Sequence, residues 1–274
     1  MSAAVVERPS SVAGTDLAVT QRRIITSEWI KLRSLRSTWF SLGAAILLDI
    51  GLGILFSGLR GNDAATHQVP AADFDSIEVS LRGMFLAQLA VGVLGVLVIT
   101  GEYATGMIRA SLSAAPRRFP VLVGKVAVFG GVTFTLSTLM GLIAFLGGQA
   151  VLHTDGYGVS LSSPGATRAV VGVGLYLTVV GLLALGCGFA FRSTGGAIAA
   201  VFGLLLVLPL LAQALPNSVA DHVNKYLPMV AGSQIIAPHQ APNVLGPWTG
   251  IGVSALYAVV ALAVGLFVLM RRDA

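Results

Sequence analysis

Six runs of apolar residues dominate this chain, and each is long enough to cross about 30 Å of hydrocarbon. Of the 274 residues, 55% are hydrophobic and only 11% are charged, which leaves too few polar residues to cover a water-soluble domain of this size. No alternating pattern typical of a barrel accompanies the runs. We therefore predict an all-α polytopic membrane protein with spans at residues 38–59, 83–100, 121–152, 169–191, 197–215 and 248–270.

The distribution of basic residues predicts that both termini are cytoplasmic. With an inside amino terminus, only four of the 17 Lys and Arg residues fall outside, and the other 13 fall on the inner side. Because these cations flank apolar runs instead of forming a soluble basic stripe, no nucleic-acid partner is predicted. Residues 1–20 are predicted to be a disordered cytoplasmic tail, and residues 21–274 the membrane domain. The four outside residues are Arg60, Arg82, Arg168 and Lys225.

A basic amphipathic helix is predicted just before the first span. Ile25, Trp29, Leu32 and Leu35 recur at steps of four, three and three, which indicates one apolar helical face. Such a helix would lie in the inner membrane interface in contact with lipid, and it could also touch a cytoplasmic partner. The arginines alone could instead be a topological charge cluster. Glu28, Lys31 and Arg33 are the other residues assigned to this helix.

The inner loop between spans two and three, residues 101–118, carries a second amphipathic pattern. Gly101 is expected to let the chain turn, and Pro116 to stop the helix. Arg117 and Arg118 are either a docking element or a positive-inside anchor. Glu102 gains nothing from topology and is either part of a docking surface or an ion pair with a nearby cation such as Lys125. The apolar face consists of Ala104, Met107, Ile108 and Leu112, with Arg109 on another face.

Asp49 lies at the centre of the first span, where a carboxylate is costly unless it is neutral, paired or facing water. It is therefore a functional-site hypothesis, together with Gln88 in the second span. Alternatively, Asp49 forms a hydrogen bond with a neighbouring helix, or pairs across a subunit interface. The candidate hydrogen-bond partners are Gln88 and the polar group Thr133, Thr135, Ser137 and Thr138 of span three.

Catalytic and cofactor-binding motifs are missing from the sequence. It contains no phosphate-binding loop followed by Lys-Ser/Thr, no Gly-x-Ser-x-Gly and no His-Glu-x-x-His, so no enzymatic activity is predicted. The four histidines fit no ligand spacing, and Cys187 is the only cysteine, so no metal site or internal disulfide is predicted.

The order of these parts resembles the membrane subunit of the ABC-2 type (type V) exporter family. The likeness runs from about residue 26 onward. Its best motifs are Ser27-Glu28-Trp29-Ile30-Lys31-Leu32-Arg33-Ser34, Gly101-Glu102-Tyr103 through Gly106, Ile108 and Arg109, and Tyr226-Leu227-Pro228 in the last outer segment. That outer segment, residues 216–247, is expected to form a short helix or a re-entrant turn.

The resemblance implies a permease that pairs with a second permease, identical or related, and with two ATP-binding-cassette ATPases. ATP and magnesium would then be bound by the ATPase, with no cofactor in this chain. Residues 101–118 would be the coupling helix seated on the ATPase, and the plasma membrane the location. Two other functions stay open: an ion-coupled secondary carrier that uses Asp49, and a non-transporting membrane scaffold.

Overall fold

The computed structural model describes residues 20–107, 118–238 and 243–271, and it contains a helix of 14 residues followed by six helices long and apolar enough to cross a membrane. No strand occurs among these residues, which agrees with the predicted all-α class. The helices are α1 (Gln21–Ser34), α2 (Arg36–Thr66), α3 (Ser76–Ala104), α4 (Arg118–Thr154), α5 (Ala166–Phe191), α6 (Thr194–Ala212), α7 (Asn217–Asn224), α8 (Pro228–Ser233) and α9 (Pro247–Arg271).

All six predicted spans are present as the helices α2, α3, α4, α5, α6 and α9, each long and apolar enough to cross a membrane. Their observed ends differ from the predicted ones because hydropathy marks the hydrocarbon depth, whereas a helix continues into the polar interface. The largest differences are seven residues: α2 extends beyond the predicted position 59 to Thr66, and α3 begins at Ser76 instead of position 83.

The two central helices are α3 and α5, which are mostly buried, whereas α2, α4, α6 and α9 lie around them with broad exposed faces. Glycine allows the close approach of the central pair, because a Cβ atom at Gly95 would clash with the carbonyl oxygen of Gly181. The hydroxyl of Tyr176 on α5 donates a hydrogen bond to the Gln88 amide oxygen on α3. The centre of the bundle therefore contains a satisfied polar pair.

The outer segment before α9 forms two short helices, α7 and α8. Helix α8 is buried between α5 and α9. Gly232 lies against the Tyr176 ring, and Ser254 on α9 donates a hydrogen bond of 2.8 Å to the Pro228 carbonyl. The expected short helix is therefore present, and α8 packs against α5 and α9.

Two of the outer helices contain a π-helical turn. It spans Leu47–Gly51 in α2 and Gly203–Val207 in α6. A π turn adds a residue to the helical repeat and is frequent at functional sites. The turn in α2 contains Asp49, the acidic residue singled out in the first span.

Candidate functional site: the inner membrane surface

Helix α1 is fixed against the inner end of α4 by one buried stripe, Ile24, Glu28 and Leu32. These residues recur every four positions and so lie on one face of the helix. Gly124 on α4 permits the contact, because a Cβ atom there would come within 2.6 Å of the Ile24 Cγ2 atom. An acidic residue thus occupies the middle of the buried face.

Glu28 can be buried because two lysines pair with its carboxylate. A second glutamate, Glu102, pairs with the same two lysines. Lys125 on α4 is only 2% exposed; its ammonium bonds to Glu28 and lies 2.8 Å from Glu102 Oε1 on α3. Lys31 lies 2.8 Å from Glu28 and 3.2 Å from Glu102. We call Glu28, Lys31, Glu102 and Lys125 the four-charge cluster, and it joins α1, α3 and α4.

The charges in the cluster balance one another. Burial alone would raise the pKa of Glu28, but the Lys125 and Lys31 ammonium groups outweigh it and hold that pKa below its usual value. Burial would likewise lower the pKa of Lys31, whereas Glu28 and Glu102 raise it. Both shifts favour the charged forms of Glu28 and Lys31. The cluster as a whole sets two acidic side chains against two basic ones, between apolar side chains such as Phe129.

Beside the cluster, α3 ends and the chain turns. Ala104 is the last residue of α3, Thr105 caps it, and Gly106 adopts a left-handed conformation with φ of 69°. Glycine favours this conformation because it has no Cβ atom, and it commonly follows a helix end. Met107 is helical again and 40% exposed. The turn therefore presents an exposed apolar side chain directly after the cluster.

The prediction that the chain turns at Gly101 is wrong. Gly101 lies inside α3, which continues through Glu102 and Tyr103, and the turn comes at Gly106. Of the other residues assigned to the 101–118 segment, Ile108, Arg109, Leu112 and Arg117 lie outside the described residues. Arg118 is the first residue of α4.

Glu102 and Tyr103 therefore lie in the last turn of α3, before the turn at Gly106, and their assignment to a coupling surface stays a prediction. Glu102 is buried in the four-charge cluster. This confirms the alternative prediction that Glu102 forms an ion pair with Lys125. Tyr103 packs under the Arg192 guanidinium, 5.2 Å from the ring centroid. Arg192 also donates a hydrogen bond of 3.2 Å to the Val268 carbonyl, so the inner ends of α3, α5 and α9 are joined.

A helix is present where the basic amphipathic helix was predicted. Ile25 and Trp29 are exposed, whereas Leu32 is buried against the rest of the chain and Glu28 occupies the middle of the buried face. Lys125 is likewise buried within the chain. A lysine at the fifth position of the predicted span 121–152, together with the acidic Glu102, was the sequence signal for this cluster.

Asp49 and Gln88 are both wholly buried inside one copy of the chain, so neither lines an open path in this structure. Gln88 bonds to Tyr176 and to the Phe85 carbonyl, and not to Asp49. Among the described residues, neither carboxyl oxygen of Asp49 has a hydrogen-bond partner. The helix crossing is close here, because a Cβ atom at Gly83 would clash with the Asp49 backbone.

Taken together, the six apolar helices, the docked helix α1 and the glycine turn after α3 are those of a multi-pass membrane protein. The chain belongs to the ABC-2 family of transporter proteins: the model of the family described as "ABC-2 family transporter protein" matches residues 24–209, more than half of the 274 residues. No curated protein matches the chain significantly. A permease of this family works with an ATP-binding-cassette ATPase.

Proposed function

We propose that this permease is the membrane half of an exporter that moves an amphipathic substrate, such as a drug, an antibiotic or a lipid, out of the cell across the plasma membrane. Two copies, or one copy and a related permease, enclose the path. ATP and magnesium are bound by the ATPase, and no reaction is catalysed by this chain. The four-charge cluster next to the exposed turn at Gly106 and Met107 is the observation that supports the proposal.

The cluster gives a physical route for the motion. When ATP brings two ATPases together, each pushes on the turn after α3 and on the segment that follows it. Glu102 lies five residues before Met107 and is bonded to Lys125 on α4, which is bonded to Glu28 on α1. Separating these helices would leave buried charges without partners, which is strongly unfavourable. The three helices therefore move as one body and shift the pore between two states.

The test is co-purification of the tagged chain from its own host in mild detergent. We expect a stoichiometric ATP-binding-cassette protein with the wild type, and its loss from Met107→Glu, because a charge would be placed in an apolar contact. Met270→Glu is the matched control, since Met270 is also an exposed inner-side methionine, at the end of α9. A well-folded preparation that carries no such protein would overturn the exporter proposal.

A second function, an ion-coupled carrier, is favoured by one observation, the Asp49 carboxyl without a hydrogen-bond partner. Intramembrane acids are common in proton relays. Transport that survives vanadate but collapses with an uncoupler would support the carrier, and the opposite pair of results would support the exporter. Asp49→Asn separates them further, because it should abolish only carrier activity.

A further inference from the structure

We propose that one flank of α1, with the start of α2, binds the headgroups of anionic phospholipids in the inner leaflet. The surface consists of Arg22, Ile25, Trp29, Arg33, Arg36, Trp39 and Phe40, which we call the basic aromatic flank. All seven side chains are exposed. This binding is separate from any contact with an ATPase.

The rotation of α1 about its axis is fixed by the cluster, which determines where the flank points. Ile24, Glu28 and Leu32 face inward within about 80° of arc, at 100° per residue. Ile25, Trp29, Arg22 and Arg33 occupy the next 80° or so in the same direction. Arginine and apolar side chains therefore share one side of the helix, next to its buried face.

The flank continues onto α2. The Trp39 indole donates a hydrogen bond of 3.0 Å to the Arg33 carbonyl, which places the aromatic residues of α2 at the end of α1. Trp39 is 62% exposed and Phe40 79% exposed. Tryptophan at a span end is typical of the membrane interface, where its ring lies at headgroup level.

Among the described residues, the arginines of the flank have no acidic partner. Within the part of the chain that the structure describes, the ion pairs of this region all belong to the four-charge cluster, and Arg22, Arg33 and Arg36 take part in none. Three unpaired guanidinium groups beside exposed aromatic rings at the membrane surface match a phosphodiester headgroup with its acyl chains. Each such arginine raises local occupancy by an anionic lipid about fivefold.

The three tryptophans of the chain provide the probe. Two of them, Trp29 and Trp39, lie in the flank, whereas Trp248 lies at the outer end of the last span. We would reconstitute Trp248→Phe into phosphatidylcholine vesicles that contain a small fraction of brominated phosphatidylglycerol or of brominated phosphatidylcholine. Bromine quenches tryptophan at short range, so the excess of quenching by the phosphatidylglycerol reports its enrichment at the flank.

We expect at least a twofold excess of quenching by brominated phosphatidylglycerol, and its decline as salt is raised, because salt screens exposed charges. Arg22→Gln, Arg33→Gln and Arg36→Gln together should abolish the excess, whereas Arg60→Gln, an exposed arginine at the other membrane side, should not. Trp29→Phe with Trp39→Phe, which leaves Trp248, should show no excess. Equal quenching by both lipids in Trp248→Phe, or an excess that high salt leaves unchanged, would overturn the proposal.

Discussion

The protein contains two buried acidic sites that differ in one respect, the presence of a partner. Glu28 and Glu102 lie at one end of the bundle, each paired with the buried Lys125 and with the partly exposed Lys31. Asp49 lies midway along α2, wholly buried, with no hydrogen bond to either oxygen among the described residues. The charges of the first site hold three helices together, whereas the carboxyl of the second site destabilises the helix packing around it.

The difference teaches where this bundle is rigid and where it can move. A buried ion pair is costly to break, because breaking it leaves an uncompensated charge. A buried carboxyl without hydrogen-bond partners lowers its free energy when the helices around it separate and water reaches it. We therefore expect α1, α3 and α4 to stay together at the inner end, and α2 to move relative to α3 near Asp49, where a π-helical turn already interrupts the regular helix.

Removing the central cation should have the largest effect. In Lys125→Met, Lys31 is left as the one described cation paired with Glu28 and Glu102, so we expect a loss of about 3–5 kcal/mol in the free energy of unfolding. Thermal unfolding of the detergent-purified protein, followed by size-exclusion fluorescence, measures this. Glu78→Gln is the matched control, because its pair with Arg82 is half exposed and should be worth less than about 1 kcal/mol. Equal losses from both variants would mean that the buried four-charge cluster contributes no more to stability than a half-exposed ion pair.

Replacing Asp49 by an apolar residue should raise the free energy of unfolding instead of lowering it. We expect Asp49→Leu to stabilise the protein by about 2–3 kcal/mol, because it replaces a buried acid by an apolar side chain in the middle of a span. The same thermal assay applies, with the transport assay beside it. A lower melting temperature for Asp49→Leu would mean that Asp49 has a stabilising partner, and the two acidic sites would then be alike.

The close helix crossing at Asp49 can be tested through Gly83. A methyl group there would clash with the Asp49 backbone, so Gly83→Ala should cost about 1–3 kcal/mol in stability. Gly131→Ala, on an open face of α4 with no atom within 4 Å, should be neutral or slightly stabilising, since alanine favours helices. If both changes behave alike in thermal unfolding, α2 and α3 are not closely packed at this point.

The smallest expected effect is the pH dependence of the cluster. Because the pKa of Glu28 in the folded protein is below its usual value of 4.5, its contribution to stability is complete above about pH 4.5 and is lost as pH falls through the folded-state pKa. Glu28→Gln should lack this part of the acid sensitivity. The measurement is the melting temperature of the wild type and of Glu28→Gln between pH 7 and pH 3. Parallel curves for the two proteins would contradict the prediction.

The six spans could be predicted because hydropathy and length depend on each segment alone. The inner surface could not be predicted in full, because its geometry depends on residues far apart in the chain. Glu28 faces inward because it pairs with Lys125, which lies 97 residues later in the sequence, and no local pattern predicts that pairing. The spacing of Ile25, Trp29 and Leu32 thus predicted the helix but not which side of it is buried.

The turn after α3 shows a similar limit. Gly101 and Gly106 both precede the basic residues of the inner loop, and sequence offers no means to choose between them. The structure places the left-handed residue at Gly106, because the bonds of Glu102 and the packing of Tyr103 keep α3 helical for one more turn. Likewise, Gln88 was singled out as a functional-site residue and as a candidate partner of Asp49, but it bonds to Tyr176, which was not foreseen.

The length of α4 has a mechanical consequence. At 1.5 Å per residue, its 37 residues form a rod of about 55 Å, much longer than the hydrocarbon layer. A tilt of about 10° about one end displaces the other end sideways by about 10 Å. Lys125 fixes one end of this rod to α1 and α3, so a small angular change at that end becomes a large displacement at the other end of α4.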